Sequence, residues 1–253
     1  SPIIHGDLVF INALQEGHKV FALNKADGKI AWQWGPDAYS SYQDAYGTPS
    51  LVKAKDKTEL VLAVPGEIWS FDAKKGNITW YAYTNVGAGR GNVSPSTITG
   101  GNALYVFGGR PGSGIAVKLG GKGEVKESSQ LWTSRNSPYV ATPVYHEGHL
   151  YWMDRSGYAV CLNAKTGKET YRERLQSSGR TPQFYASPVV VDGKIISVSR
   201  NAGAFVLEAK PKFKQLAQNT FASDRSVFNA SPAVSNNRLF LRSDTHLYCI
   251  AGE

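Results

Sequence analysis

Apolar residues along this chain come in short runs broken by Gly, Asn or Asp, and the runs recur in groups of four. The clearest group opens at Thr142-Pro143-Val144-Tyr145-His146, turns at Glu147-Gly148 and returns through His149-Leu150-Tyr151-Trp152-Met153. A polar turn at Asp154-Arg155-Ser156-Gly157 leads into Tyr158-Ala159-Val160-Cys161-Leu162-Asn163, and Ala164-Lys165-Thr166-Gly167 leads into Lys168 to Leu175. Short runs rich in Val, Tyr and Phe between Gly-bearing turns predict antiparallel strands joined as a meander. The next group runs in parallel: Ser187 to Val191, the Asp192-Gly193 turn, Lys194 to Ser199, then Ala204 to Leu207. No segment sustains helical periodicity.

Each group begins at a Ser-Pro or Thr-Pro step. The prolines are Pro2, Pro49, Pro95, Pro143, Pro188 and Pro232, with consecutive spacings of 44 to 48 residues. A period this regular marks a repeat architecture, and four antiparallel strands per repeat predict propeller blades; β-helix repeats are shorter. Proline fits the first position of a strand, where a missing donor is tolerated. The expected fold is all-β, a β-propeller of four-stranded antiparallel blades. It is a single domain over residues 1–253, with blades starting near 1, 48, 94, 142, 187 and 231. The chain opens on a first strand and stops at Leu247-Tyr248-Cys249-Ile250, a third strand, so six repeats are visible and the last lacks its outer strand. Proteins normally avoid such an open edge. Two readings follow: a longer protein, incomplete here at the N-terminus, whose upstream residues supply the missing strand and up to two more blades, or a six-bladed ring closed imperfectly.

Composition narrows the picture only a little. No run approaches the roughly 18 to 20 apolar residues of a membrane-spanning helix. Cys161 and Cys249 follow their repeat prolines by 18 and 17 residues, which makes them equivalent positions two repeats apart. That separation should exceed the roughly 7 Å limit for a disulfide. Ala22 and Ser70 fill the same slot elsewhere, so both thiols are expected to be small, buried packing residues. A net charge of +8 raises the question of nucleic acid. The lysines, however, are spread around turns rather than interleaved with aromatics along one groove, and attraction to an acidic partner is the more economical use of the charge. The five histidines show no metal-binding spacing, and neither a serine-nucleophile elbow nor a phosphate-binding loop is present.

The end of each repeat carries a second signature. Ala22-Leu23-Asn24-Lys25-Ala26-Asp27-Gly28-Lys29-Ile30-Ala31-Trp32 and Phe71-Asp72-Ala73-Lys74-Lys75-Gly76-Asn77-Ile78-Thr79-Trp80 share an Asn or Asp, a Gly turn, and Trp four residues after that Gly. Cys161 to Gly167 matches, with Tyr171 in place of Trp. This resembles the tryptophan-docking motif of the pyrroloquinoline quinone (PQQ)-repeat propellers, a superfamily of quinoprotein dehydrogenases and BamB-like scaffolds. The resemblance covers essentially the whole chain. It implies that Trp32, Trp80, Trp132 and Tyr171 are structural docking residues between blades. Repeat three departs from the pattern through an insertion from Gly120 to Ser129. Repeat five has Lys210-Pro211-Lys212 where the Gly turn should be and no outer-strand aromatic, so these two blades are expected to be the least regular.

In such a fold the loops from fourth to first strands share a face with those joining second and third strands. Eight of the 11 arginines map there, Arg90, Arg110, Arg135, Arg155, Arg180, Arg200, Arg225 and Arg242, whereas many lysines fall by the opposite Gly turns. Arginine suits carboxylates and phosphates through its planar fork. Arg155, Arg200 and Arg242 occupy equivalent positions and could form a partial ring; alternatively each pairs with Asp154, Asp224 or Asp244 and ties loops together. The residues three before the repeat prolines are Tyr46, Asn92, Val140, Tyr185 and Asn229. The candidate ligand-binding set is therefore Tyr46, Asn92, Arg155, Tyr185, Arg200, Asn229 and Arg242, with no catalytic or metal residue.

Two functions compete. A PQQ- and calcium-dependent alcohol or sugar dehydrogenase, which the resemblance allows, needs several oxygen ligands around a hard cation. Only Asp37, Asp44, Asp154, Asp224 and Asp244 are available on that face, scattered over different blades, and no vicinal cysteine pair is present. PQQ and calcium are thus not supported by the ligand set. The favoured expectation is a non-catalytic binding or scaffold propeller, extracytoplasmic and bacterial by resemblance. Its Arg- and aromatic-rich loop face would meet a protein segment, a glycan or a small anion, and not nucleic acid.

Overall fold

The computed structural model describes residues 1–35, 44–54, 57–89, 91–109 and 112–252. They form two compact units, Ser1–Ser137 and Pro138–Glu253, each carrying three sheets built as antiparallel meanders. In the first unit, blade one runs β1 (Ile3–His5), β2 (Leu8–Ala13), β3 (Lys19–Asn24) and β4 (Ile30–Trp34), with one helical turn at Leu14–Gly17. Blade two runs β5 (Ser50–Ala54), β6 (Lys57–Val64), β7 (Glu67–Asp72) and β8 (Ile78–Tyr83). Blade three pairs β9 (Ile98–Gly100), β10 (Ala103–Gly108) and β11 (Ser113–Lys118) with β13 (Gln130–Ser134), and β12 (Gly123–Glu124) intervenes in sequence.

That intervening strand corrects the expectation of four strands per blade. β12 leaves blade three and pairs in parallel with β8, Gly123 opposite Trp80 and Glu124 opposite Tyr81, so blade two has five strands. The insertion from Gly120 to Ser129 thereby covers an outer edge that would otherwise present unpaired backbone groups.

In the second unit, blade four is β14 (Val144–His146), β15 (His149–Met153), β16 (Tyr158–Asn163) and β17 (Glu169–Arg174). Blade five is β18 (Val189–Val191), β19 (Lys194–Val198), β20 (Ala204–Glu208) and β21 (Gln215–Asn219). Blade six has three strands, β22 (Ala233–Ser235), β23 (Arg238–Arg242) and β24 (Leu247–Ala251), as the phase of the repeat predicted.

Five blades share one irregularity. The register slips between third and fourth strands at Ala22/Leu23, Ser70/Phe71, Ala116/Val117, Cys161/Leu162 and Val206/Leu207. Directly opposite the first residue of each slip stand Trp32, Trp80, Trp132, Tyr171 and Ala217. A small residue at the slip leaves room for the ring across from it, which is why Ala, Ser and Cys recur there. Cys161 is fully buried in that slot, but Cys249 is exposed. The expectation that both thiols are buried fails for Cys249 because β24 is the outer strand of its sheet, with no aromatic strand laid over it.

The turns between third and fourth strands are latched to those between first and second strands in five blades. Lys25 N donates to Asp7 O, Ala73 N to Thr58 O, Leu119 N to Asn102 O, Ala164 N to Gly148 O and Ala209 N to Gly193 O, at 2.8 to 3.3 Å. Cores fill the space between neighbouring sheets within each unit. Phe10, Leu60, Leu62 and Phe71 lie between blades one and two, Leu104, Val106 and Ile115 between two and three, Phe184, Ile195 and Phe205 between four and five.

Candidate functional site

Short hydrogen bonds bring the two loop sets of the opposite face together. Gly109 N donates to Asn92 O at 2.9 Å, Arg200 N to Gln183 O at 2.8 Å and Asp244 N to Val227 O at 3.0 Å. In each case a turn between second and third strands meets the loop that enters its own blade. The Ser/Thr-Pro steps also have a physical role that sequence reasoning missed. Thr142 N donates to Ser187 Oγ and Ser187 N to Ser231 Oγ, both at 2.9 Å, so each hydroxyl caps the backbone of the preceding repeat. In the first unit the acceptor has moved two residues on, with Thr48 N bonded to Ser96 Oγ at 3.0 Å. The signal was visible as a hydroxyl at constant period, but only the fold shows what it caps.

On this face of the second unit, four side chains stand in a row. The Arg155 guanidinium lies 5.0 Å from the Tyr139 ring centre, Tyr139 meets Tyr185 edge to face at 6.1 Å, and Arg200 lies 4.4 Å from the Tyr185 ring centre. Arg200 Nε then donates to Asn229 Oδ1 at 2.8 Å. Of the seven candidate residues, the fold thus joins Arg155, Tyr185, Arg200 and Asn229, and adds Tyr139. Spacing had pointed to Val140 instead, one position away. The difference is conformational: Tyr139 has φ +77°, a left-handed value rare for an aromatic residue and costly to hold.

The alternative of Arg–Asp ties between neighbouring loops does not hold for these arginines. Asp154 pairs with Arg172 at 3.0 Å and accepts Ser156 N and Tyr158 N, turning away from Arg155. Among the described residues neither Arg155 nor Arg200 has a carboxylate within ion-pairing distance. Asp224 is buried and ties the loop that enters blade six to that blade, accepting Ser226 Oγ and Ser243 Oγ at 2.6 Å and Tyr248 OH at 2.8 Å. Those hydrogen bonds, led by Ser226 and Ser243, hold its carboxyl well below the usual carboxylate range. The same contact and burial raise Tyr248. Arg242, at the end of β23, is exposed and its side chain makes no hydrogen bond, ion pair or ring contact among the described residues, so it stands apart from the row.

In the first unit, Tyr46 and Asn92 sit on neighbouring loops stitched by a parallel bridge of Ala45 with Val93, with Tyr46 N donating to Val93 O at 2.9 Å. Tyr46 is half exposed and its hydroxyl lies 3.4 Å from Asp44 Oδ1; partial burial and that carboxylate raise its pKa. Asp37, Arg90 and Arg110 lie outside the described residues. The structural aromatics lie in the cores or at their rims. Trp32 reaches from blade one to blade two, donating Nε1 to Ala73 O at 3.0 Å and packing on Phe71 at 6.0 Å. Trp80 is fully buried and donates to Glu59 Oε2 at 2.9 Å, while Trp132 stacks on Tyr105 at 5.9 Å. Tyr171 meets Phe213 of blade five at 5.6 Å, so blade five supplies an aromatic from its turn although Ala217 holds its outer-strand slot.

The donor set does not suit a calcium–PQQ centre. Asp154 and Asp224 already spend oxygens on Arg172 and on hydroxyl groups, and no three His, Cys, Asp or Glu side chains converge among the described residues. The row offers cations, aromatic rings and an amide.

The profile of the family described as outer membrane protein assembly factor BamB matches residues 1–137 and 121–211. The chain is 24% identical over 195 residues to the outer membrane protein assembly factor BamB of Escherichia coli K12, covering 74% of this chain and 44% of that protein. It therefore spans less than half the length of that relative. Among solved structures, BamB from Moraxella catarrhalis superposes with a TM-score of 0.71 at 15% identity, over 97% of this chain and 70% of that one. A europium-containing methanol dehydrogenase superposes with a TM-score of 0.65 at 12% identity, over 96% of this chain and 60% of that one. These two likenesses carry the propeller fold and nothing finer.

Proposed function

This chain belongs to the outer membrane protein assembly factor BamB family, and we propose that it is a non-catalytic scaffold for outer-membrane protein assembly that holds a protein partner on its loop face. The family works at the bacterial outer membrane, which makes the chain extracytoplasmic. No helix among the described residues is long and apolar enough to cross a membrane.

The observation that supports a binding role is the row of Arg155, Tyr139, Tyr185, Arg200 and Asn229. Stacked arginines and tyrosines are the side chains that dominate protein recognition, combining large rigid area with directional charge. A dehydrogenase would instead need a base and a cation cage, and Asp154 and Asp224 are committed to Arg172 and to hydroxyl groups.

The test is co-purification from a bacterial envelope extract with the family's outer-membrane assembly partners, using the wild-type chain and an R155A/R200A variant of matched melting temperature. Specific recovery by the wild type and its loss in the variant are expected. A thermal titration with PQQ and Ca²⁺, alone and together, is expected to leave Tm unchanged. A saturable rise needing both, with dye-linked alcohol oxidation, would refute the scaffold role.

A further inference from the structure

Resting on the scaffold role, the geometry of the second unit narrows what the loop face takes. We infer that the row receives an extended acidic segment of a partner protein, with carboxylates two to four residues apart engaged by Arg155 and Arg200 and the tyrosines between them bearing on the intervening residues. Three features carry this. Both guanidiniums lack a carboxylate partner among the described residues, while Asp154 beside Arg155 is already taken by Arg172 at 3.0 Å. Each guanidinium is fixed against a tyrosine ring, at 5.0 and 4.4 Å, and Arg200 is further pinned by Asn229 at 2.8 Å. Little side-chain freedom is then left to lose on binding. Finally, Tyr139 stands in the row at φ +77°, a backbone conformation that is costly for a tyrosine.

The spacing chooses among anions. The two guanidiniums lie on different tyrosines, whose rings meet at 6.1 Å, so each presents its own fork to a ligand. Alternate side chains on one face of an extended segment recur at about 6.6 Å, and next-alternate ones at about 13 Å, which spans the gap a two-ring spacer creates. Nucleic-acid bases and sugars need open aromatic faces to stack on. Here one face of Tyr139 and one of Tyr185 already carry a guanidinium, and the two rings meet edge to face. The exposed fork of Arg155, and the half-buried one of Arg200 beyond its bond to Asn229, each match a carboxylate.

The experiment is a fluorescence-anisotropy titration of the full chain with labelled ten-residue peptides bearing Glu at positions i and i+4, Glu at i and i+1, or Gln at i and i+4. The first peptide is expected to bind at least tenfold tighter than the other two. The R155K and R200K variants keep the charge but lose the fork and the stacking; each is expected to lose at least tenfold in affinity at unchanged Tm. R238K, at the start of β23 and so at the opposite end of that strand from the loop face, should bind as wild type. Equal binding of the Gln peptide, indifference to Glu spacing, or full activity of R155K and R200K would overturn the inference. So would displacement of the peptide by single-stranded DNA or an anionic polysaccharide at equal charge concentration. Loss of peptide binding with co-purification intact would reject the acidic segment and keep the scaffold; loss of both would reject the two together.

Discussion

At the scale of single residues, Gly76 shows how a turn and a contact between blades depend on one position. Its φ is +73°, and a Cβ built there would stand 2.6 Å from the Trp32 ring of the neighbouring blade. Two requirements meet at one atom: a left-handed turn, and a flat surface for the docking tryptophan. Gly28 has the same turn geometry, φ +71°, with nothing within 4 Å of such a Cβ. Gly28→Ala should therefore cost about 1 kcal/mol, the ordinary penalty of a left-handed alanine. Gly76→Ala should cost roughly 2 to 4 kcal/mol, because the ring must also move out of a packed core. Urea denaturation of the two variants checks this; equal losses would mean that Trp32 yields freely and docks on nothing rigid. The Asn/Asp-x-x-x-Gly pattern made the turn legible in the sequence. That one blade's glycine faces another blade's tryptophan was not, since no local pattern records a contact between residues 44 positions apart.

At the scale of elements, Asp224 shows how a loop and a blade are tied mainly through hydroxyl donors. It gathers Ser226 from the loop before blade six, Ser243 from the turn after β23 and Tyr248 from β24, with His246 Nδ1 at 3.4 Å. Sequence reading had cast Asp224 as a partner for arginine, because hydroxyl donors far apart in the chain give no spacing signal. Its carboxyl pKa is depressed in the folded state, so its stabilisation is present at neutral pH and is lost as pH falls below the ordinary carboxylate value of about 3.9. Asp224→Asn should be less stable than wild type at pH 7. The gap should close progressively as the pH is lowered past 4, because the wild type then surrenders the same interaction. Melting curves of both proteins from pH 7 to pH 3 decide it, and a gap that stays constant would mean the charge contributes nothing. The strands themselves were easier to read. Short apolar runs between glycine turns marked the strands of blades four and five, whereas β12 is two residues long and pairs outside its own repeat.

At the scale of the whole molecule, charge of one sign is used in two different ways. The net charge is +8. Lysines such as Lys74, Lys75, Lys165 and Lys168 are exposed in or beside the glycine turns, whereas Arg155 and Arg200 are stacked on tyrosines at the opposite ends of their blades. Exposed charges act through the long-range field, raising encounter rates with an acidic partner, and are screened beyond roughly 8 to 10 Å at physiological salt. Oriented charges act at contact and set how long the partner stays. Replacing those four lysines by Gln would take the net charge from +8 to +4 without touching the row. Association with an acidic peptide at low salt should then slow severalfold, while dissociation stays as in wild type and the rate difference vanishes at high salt. Arg200→Lys should do the reverse, keeping the net charge and the association rate but speeding dissociation. Stopped-flow kinetics at two ionic strengths separate the two. If the lysine variant instead dissociates faster, the glycine-turn face is itself part of the contact, and the division of labour between lysine and arginine does not exist.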